Sequence, residues 1–350
     1  MMLDRRQELT IPMYLKLYAT CIPVKGYLRS LICNFIRNKY DYIPNILYEI
    51  LTTNQALSMD HLVKLYGEAN REHLEEYFNF LLTNDYAFTC DEHDLRYYAP
   101  MDLQFHSPNY LSNFILDIAD EHDHDYEKIF FELYCLQCPN IQIRIFSKRE
   151  LSEIQHILDY TTMKNFRDIQ LIIPHNDNTT KRQLVDLQMQ FSISRIDVHS
   201  TPQDKLRSLG RTRSKFFPVY FHSQEICDET HCGIISMEYF SIDLRTFTES
   251  LHFNNCLNRK ASVDRFGNIK NCPSMATSFG NSNTESLIDV ISKPEFQSKW
   301  QIKKDNISIC NDCEYRFICT DCRAYLTDPT DNLSKPAKCK YDPYTAQWAE

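Results

Sequence analysis

The sequence predicts an α/β protein with a helical N-terminal module, a central run of alternating strands and helices, and a cysteine-rich C-terminal part. Three observations carry this. Residues 105–225 alternate short branched-aliphatic runs with helical stretches, the pattern of a parallel sheet with crossover helices. Residues 44–84 hold three helical stretches, with aromatic-rich strand signals on either side. Seven of the 14 cysteines fall in the last hundred of 350 residues. The length allows two or three domains, and a hydrophobic content of 43% with 24% charged residues is that of a globular chain.

In order along the chain, Met13–Tyr18 and Tyr27–Cys33 read as strands, with Pro23–Gly26 supplying turn chemistry between them. A helix begins near Pro44, with Ile46, Leu47, Ile50 and Leu51 at helical spacing. A second spans 58–67, with Ser58 as N-cap and Asp60 behind it. A third runs over 71–84, with Leu74, Phe78, Leu81 and Leu82 on one side. Tyr86–Cys90 and Leu95–Ala99 predict a hairpin around Asp91–Asp94. These are the parts of a winged-helix-like module over 1–105. Its third helix carries Glu72, Glu75 and Glu76, which argues against a phosphate backbone as partner. Docking of a peptide as an added strand, or a purely structural role, are the other uses of such a module.

From 105 to 225 the expected strands are 114–119, 141–146, 169–174, 193–198 and 217–221. Helices over about 125–137, 147–160 and 179–190 lie between the first four of them. Sites in such sheets lie at the carboxyl ends of the strands. The first of those ends reads Asp120-Glu-His-Asp-His-Asp-Tyr126. It is either a metal or substrate site or an acidic loop capping the next helix. Cys135 and Cys138 form a C-x2-C, read as buried structural thiols.

The charge pattern narrows the partners. Residues 251–350 carry 13 Lys+Arg against 12 Asp+Glu, leaving 25 against 35 for residues 1–250. A formal net charge of -9 lacks the basic footprint of a nucleic-acid binder. With six glycines and no G-x-G-x-x-G or P-loop pattern, a nucleotide site of the backbone-cradle kind is not expected. The start of the chain has no apolar run of signal-peptide type, and no stretch is apolar enough to span a membrane. A cytoplasmic protein is expected. Thiols stay reduced there, so clustered cysteines point to metal or chemistry before disulfides.

The cysteine pattern is C-x10-Gly267-x4-C at Cys256 and Cys272, then C-x2-C-x5-C-x2-C at Cys310, Cys313, Cys319 and Cys322, then Cys339. A hairpin with its turn at Asp264–Gly267 brings Cys256 and Cys272 to one end. Structural zinc is usually held by two C-x2-C pairs with a longer spacer than five residues. Seven or eight sulfurs suit two iron–sulfur clusters of four thiolates each. On that logic Cys310, Cys313, Cys319 and Cys339 hold one. Cys322 joins Cys256 and Cys272 on the other, with Cys232 as the fourth candidate and His252 behind it. Zinc sites and structural thiols are the alternatives.

In spacing and order, these seven cysteines and one glycine resemble the SPASM domain, the auxiliary-cluster module of radical S-adenosylmethionine peptide-maturing enzymes. Cys256–Lys260, Asn268–Ser274 and Cys319–Tyr325 look like the peptide maturases of grasp-with-spasm systems. The resemblance implies three parts: a winged-helix, precursor-recognition module over 1–105, a partial radical-SAM-like (β/α) barrel over 106–230, and a C-terminal cysteine-rich SPASM domain over 231–350. It implies a ribosomally made precursor peptide and an ATP-grasp ligase as partners, and two 4Fe-4S clusters as cofactors. Two departures stand out. The common form of the module has three residues between its fifth and sixth cysteines, where this chain has Thr320 and Asp321. Radical S-adenosylmethionine enzymes carry C-x3-C-x2-C after the first barrel strand, where this chain has no cysteine. Peptide maturation without S-adenosylmethionine cleavage is therefore expected. The protein acts either as a catalyst using an auxiliary cluster or as an adaptor presenting the precursor to the ligase. A zinc-stabilised regulatory protein is the remaining alternative, and no catalytic residue is assigned.

Overall fold

The computed structural model describes residues 13–53, 56–120, 123–162, 164, 166–211 and 216–349. β1 (Met13–Leu17) leads into a three-stranded antiparallel sheet of β2 (Cys21–Val24), β3 (Ser30–Asn34) and β4 (Lys39–Ile43), in that order. The expected turn at Pro23–Gly26 is half strand: Pro23 pairs with Ile32 on β2, an edge strand where a missing N–H is tolerated. Then follow α1 (Asn45–Thr53), β5 (Leu57–Ser58), α2 (Met59–Tyr66), α3 (Arg71–Thr83) and β6 (Ala87–Asp91). Ser58 stands at the N-cap of α2 without a side-chain capping bond, and Asp60 lies in its first turn.

The hairpin expected at 86–99 does not form. Leu95–Ala99 is not a strand, because Asp91 Oδ1 accepts from Asp94 N at 2.9 Å and starts a 3-10 turn over Asp94–Tyr97. β6 pairs instead with β1, from Met13 opposite Asp91 to Leu17 opposite Ala87. With β5 on its other side, β1 centres a second sheet in the order β5-β1-β6. Leu15, Ile32, Ile43, Leu47, Leu62, Leu74 and Leu81 join the helices to these sheets in one core.

The central sheet is built by β7 (Asn113–Ile118), α4 (Tyr126–Cys135), β8 (Asn140–Ile145), α5 (Leu151–Asp159), β9 (Asp168–Pro174), α6 (Lys181–Phe191) and β10 (Arg195–His199). β11 (Lys205–Arg211), absent from the sequence reading, returns antiparallel to β12 (Phe216–Phe221). After α7 (Leu244–His252), the hairpin of β13 (Lys260–Val263) and β14 (Asn268–Lys270) and the short β15 (Gly280–Asn281) extend the same sheet. The order is β11-β12-β10-β9-β8-β7-β13-β14-β15, parallel throughout from β12 to β13. β13 lies beside β7, so the sheet crosses the 230/231 boundary drawn from the sequence. The chain ends with α8 (Leu287–Ile291), α9 (Pro294–Gln297), turns, and the pair β16 (Tyr341–Asp342) and β17 (Gln347–Trp348).

Local sequence explains the helix starts. Asp125 accepts from Lys128 N at the start of α4, and Thr180 with Gln183 makes a capping box on α6. Glu150 and Glu153 make another, so α5 begins at Leu151 rather than at Ser147. The acidic loop after β7 behaves as a capping loop: Asp125 caps α4, and buried His124 lies with Nε2 2.8 Å from the Asp117 carbonyl. Residues 121 and 122 lie outside the described residues.

The hairpin strands β2 and β3 have a second core, in which Val24, Leu31, Cys33 and Phe35 pack with Ile235, Phe247, Tyr315, Phe317 and Tyr341. The first and last parts of the chain are thereby one packed body. Among the described residues, no helix is long and apolar enough to cross a membrane.

Candidate metal and substrate site

The parallel sheet has two unlike faces, because side chains alternate along each strand. On one face, Leu116, Ile143, Leu171, Ile196 and Val219 form a buried aliphatic row. On the other, the adjacent row reads Asp117, Arg144, Ile172, Asp197 and Tyr220. Ile115, Gln142, Gln170 and Arg195 make a second polar-rich row, and Lys260 stands beside Asn113 in a third.

These groups are tied to one another. Arg144 donates to both Asp117 oxygens, at 2.6 and 2.7 Å, with both residues buried. Burial pushes the Asp117 carboxyl up to about 6, with Arg144 pulling the other way. Arg195 grips Asp197 at 2.6 and 2.7 Å, and His222 Nε2 lies 2.8 Å from the same carboxylate. Gln142 Nε2 donates to Gln170 at 3.2 Å.

One sulfur group stands beside this face. Cys256 follows α7 in a turn where Asn254 Oδ1 accepts from Cys256 N at 3.1 Å and Leu257 N at 3.0 Å. Cys272 follows β14, at the end of the hairpin that the sequence predicts. Cys232 hydrogen-bonds to Cys272, and its Sγ lies 3.1 Å from Ser274 Oγ. Cys322 closes on Gly233, which has φ +81°, and a Cβ there would stand 2.8 Å from the Cys322 sulfur. Lys260 Nζ is 3.8 Å from Cys256 Sγ. The hydrogen bond to Cys272 and then burial push the Cys232 thiol up. The same bond holds Cys272 down to about 5, helped by Lys260 and Arg144. Burial raises Cys256 to about 11 and also raises Cys322.

The second group is Cys310, Cys313, Cys319 and Cys339, on a 3-10 turn (Cys310–Asp312) and the loops around it. Ile309 sits at φ 69°, a left-handed conformation that strains a β-branched residue just before Cys310. Burial is the first cause raising Cys310, Cys313 and Cys319, the last to about 11. Buried Lys304 places Nζ 3.7 Å from Cys319 Sγ and 3.7 Å from Asp321 Oδ1.

Asp321, between Cys319 and Cys322 in sequence, joins the two groups. It is buried, takes a hydrogen bond from Arg323 at 2.8 Å and another from Asn254 at 2.5 Å, and its N–H donates to Asn255 at 3.0 Å. Asn255 in turn donates to the Cys319 carbonyl at 2.9 Å.

Thiolates on one tetrahedral zinc stand roughly 3.8 Å apart, whereas an iron–sulfur cluster is larger and holds its four thiolates wider. Among the described residues, the trios of candidate donors within 4.8 Å of one another are Cys227, Asp228 and His231, and Asp91, His93 and Asp94. No such trio comes from the eight predicted cysteines, among which Cys232 and Cys272 stand in hydrogen-bond contact. His252 turns away, with Nε2 3.0 Å from the Leu103 carbonyl. Cys135 is exposed, while Cys138 is buried and donates to the Asn140 carbonyl at 3.4 Å.

The polar face was missing from the sequence reading, although its signal is there. Parallel strands covered on both sides read as unbroken apolar runs, but Ile141-Gln-Ile-Arg-Ile145 and Arg195-Ile-Asp-Val-His199 alternate. That alternation marks one face for polar groups.

No family model matches the chain, and no curated protein matches it. Among solved structures it is similar to Streptococcus suis SuiB bound to precursor peptide SuiA, at a TM-score of 0.30 and 10% identity. The alignment covers 89% of this chain and 96% of that one, a likeness too slight to assign fold or function.

Proposed function

We propose that this protein handles a ribosomally made precursor peptide during its maturation, as partner to an ATP-grasp ligase, and carries two iron–sulfur clusters. The observation that carries the reading is the gathering of eight cysteines into two four-sulfur groups, each with a lysine ammonium under 4 Å from a sulfur. The residues fit the clusters in donor type and number. Cys310, Cys313, Cys319 and Cys339 would hold one, and Cys232, Cys256, Cys272 and Cys322 the other. Such clusters supply one-electron redox chemistry or rigid cross-linking when bound. The surrounding residues bury the sulfurs and place Lys304 and Lys260 to offset thiolate charge.

The position of Cys232 against Cys272 favours the adaptor reading over the catalytic one. A fourth thiol leaves no open coordination place in that group. The loop after β7 has no cysteine, which supports a role without S-adenosylmethionine cleavage.

The peptide would dock along β1. β5 covers only Tyr14 and Leu15 of that strand, and a cavity of about 470 Å³ adjoins Lys16, Leu17 and Tyr18 beyond it. An extended peptide can add there by main-chain hydrogen bonds, with apolar side chains entering the cavity beside Leu57, Tyr98 and Met101.

The test is anaerobic reconstitution of the full chain with iron and sulfide. About eight irons per chain are expected, and Cys310→Ala or Cys339→Ala should each remove about half. Zinc without iron would refute the clusters. For the peptide, the full chain should bind the precursor encoded beside its gene, and a charged residue at Leu17 should abolish that binding.

A further inference from the structure

The loop after β12 holds a donor set outside the eight cysteines assigned to the two sulfur groups. The Cys227 sulfur, an Asp228 carboxylate oxygen and a His231 ring nitrogen lie within 4.8 Å of one another. Two features orient them. Thr230 donates to Asp228 Oδ1 through its backbone N–H at 2.8 Å and its hydroxyl at 2.5 Å, which fixes the carboxylate. The Gln224 amide lies 3.1 Å from His231 Nδ1, while His231 Nε2 faces Asp228 Oδ1 at 3.8 Å. The Gln224 amide nitrogen donates to His231 Nδ1, which puts the neutral ring's proton on Nε2. Ligation through Nε2 moves that proton to Nδ1 and turns the amide oxygen towards it, the outer-sphere arrangement of metal-bound imidazoles.

Cys227, at one end of the trio, lines a cavity of about 440 Å³ together with Glu225, His199 and His175. Pro174 and His199, the last residues of β9 and β10, also line it, so it opens at the carboxyl ends of the parallel strands. That is where α/β sheets place their ligands.

We propose that Cys227, Asp228 and His231 bind one zinc ion, with an open fourth position toward this cavity. Thiolate, imidazole and carboxylate together select a borderline cation over calcium or magnesium, which prefer all-oxygen sets. Three protein donors leave a place for water or a substrate carbonyl oxygen, the arrangement of zinc sites that act on substrate rather than hold structure. Tetrahedral zinc brings such donors to about 3.3–3.8 Å of one another, a closure of about an ångström for side chains on a partly exposed loop. Binding releases the Cys227 thiol proton to solvent, and no electron changes hands.

The experiment is zinc titration of the full chain with elemental analysis and zinc-edge X-ray absorption, before and after iron–sulfide reconstitution. The expected result is one zinc retained after reconstitution, with one sulfur at about 2.3 Å and nitrogen or oxygen at about 2.0–2.1 Å. Cys227→Ser and His231→Ala should each lose that one equivalent, with at least a tenfold fall in affinity and no change in iron content. In the chain without iron, the same substitutions should still remove one mixed-shell zinc, so failure of the clusters and failure of this site read separately. An all-sulfur zinc shell, zinc indifferent to both substitutions, no retained zinc, or iron lost with Cys227→Ser would each overturn the proposal.

Discussion

The Lys304 ammonium stands 3.7 Å from the Cys319 sulfur, buried, with Asp321 and the Thr320 carbonyl as further partners. Burial alone would lower the lysine's pKa, but Cys319 and Asp321 together hold it above its ordinary value. Lys304→Met removes that charge at nearly constant volume. Asp321 keeps Arg323, so a loss of about 1–3 kcal/mol is expected in chemical denaturation. In the iron-loaded protein, the cluster of that group should become harder to reduce. A redox titration followed by electron paramagnetic resonance would show its potential moving negative, and an unmoved potential would count against the assignment.

Asp117 gives the fold a pH dependence of unusual sign. Its carboxyl is pushed up to about 6 from an ordinary 3.8, chiefly by burial. Between those values the folded chain binds more protons than the unfolded one, so this group makes stability fall as pH rises from about 4 to about 6. Above that range its contribution is flat. The size is at most about 3 kcal/mol. Denaturation midpoints of the parent minus those of Asp117→Asn, measured across pH, should follow this curve.

Arg144→Met leaves the Asp117 carboxyl buried without its cation, so a destabilisation of about 3–5 kcal/mol is expected. The double variant with Asp117→Asn should recover part of that loss. Urea unfolding of the three variants gives the coupling directly.

Gly233→Ala adds a Cβ at a left-handed position, 2.8 Å from the Cys322 sulfur and 3.1 Å from the Tyr325 ring. The Cys232, Cys256, Cys272 and Cys322 group should distort while the other stays intact. Reconstituted iron should then drop by about half, and full retention would mean that Cys322 is not a ligand.

The sequence carries the α/β alternation because each strand has its aliphatic face and each helix its cap, as with Thr180 before α6. It carries the approach of Cys256 to Cys272 because the β13–β14 hairpin through Gly267 is local, whereas Cys232 and Cys322 reach them from far along the chain. Other features depend on distant partners. The segment Leu95–Ala99 has strand-like residues, but β1 already occupies the pairing edge of β6. β13 has the alternation of a strand, yet nothing local shows that its neighbour is β7, about 150 residues earlier. The Cys227, Asp228 and His231 trio does lie within five consecutive residues, but that short run matches no familiar metal spacing, and the structure is what turns its three donors towards one another.

Arg29 reaches Glu314 at 2.8 Å across 285 positions of sequence, and Tyr27 N–H reaches the Asp312 carbonyl at 2.7 Å. On a ribosome adding roughly 5–20 residues per second, on the order of 15–60 s separate the emergence of these partners. Throughout that interval the β2–β4 hairpins have Leu31 and Phe35 made but nothing to cover them. The nascent chain therefore carries an exposed apolar surface early, where a chaperone would find it, and the N-terminal part is finished only when the late cysteines arrive.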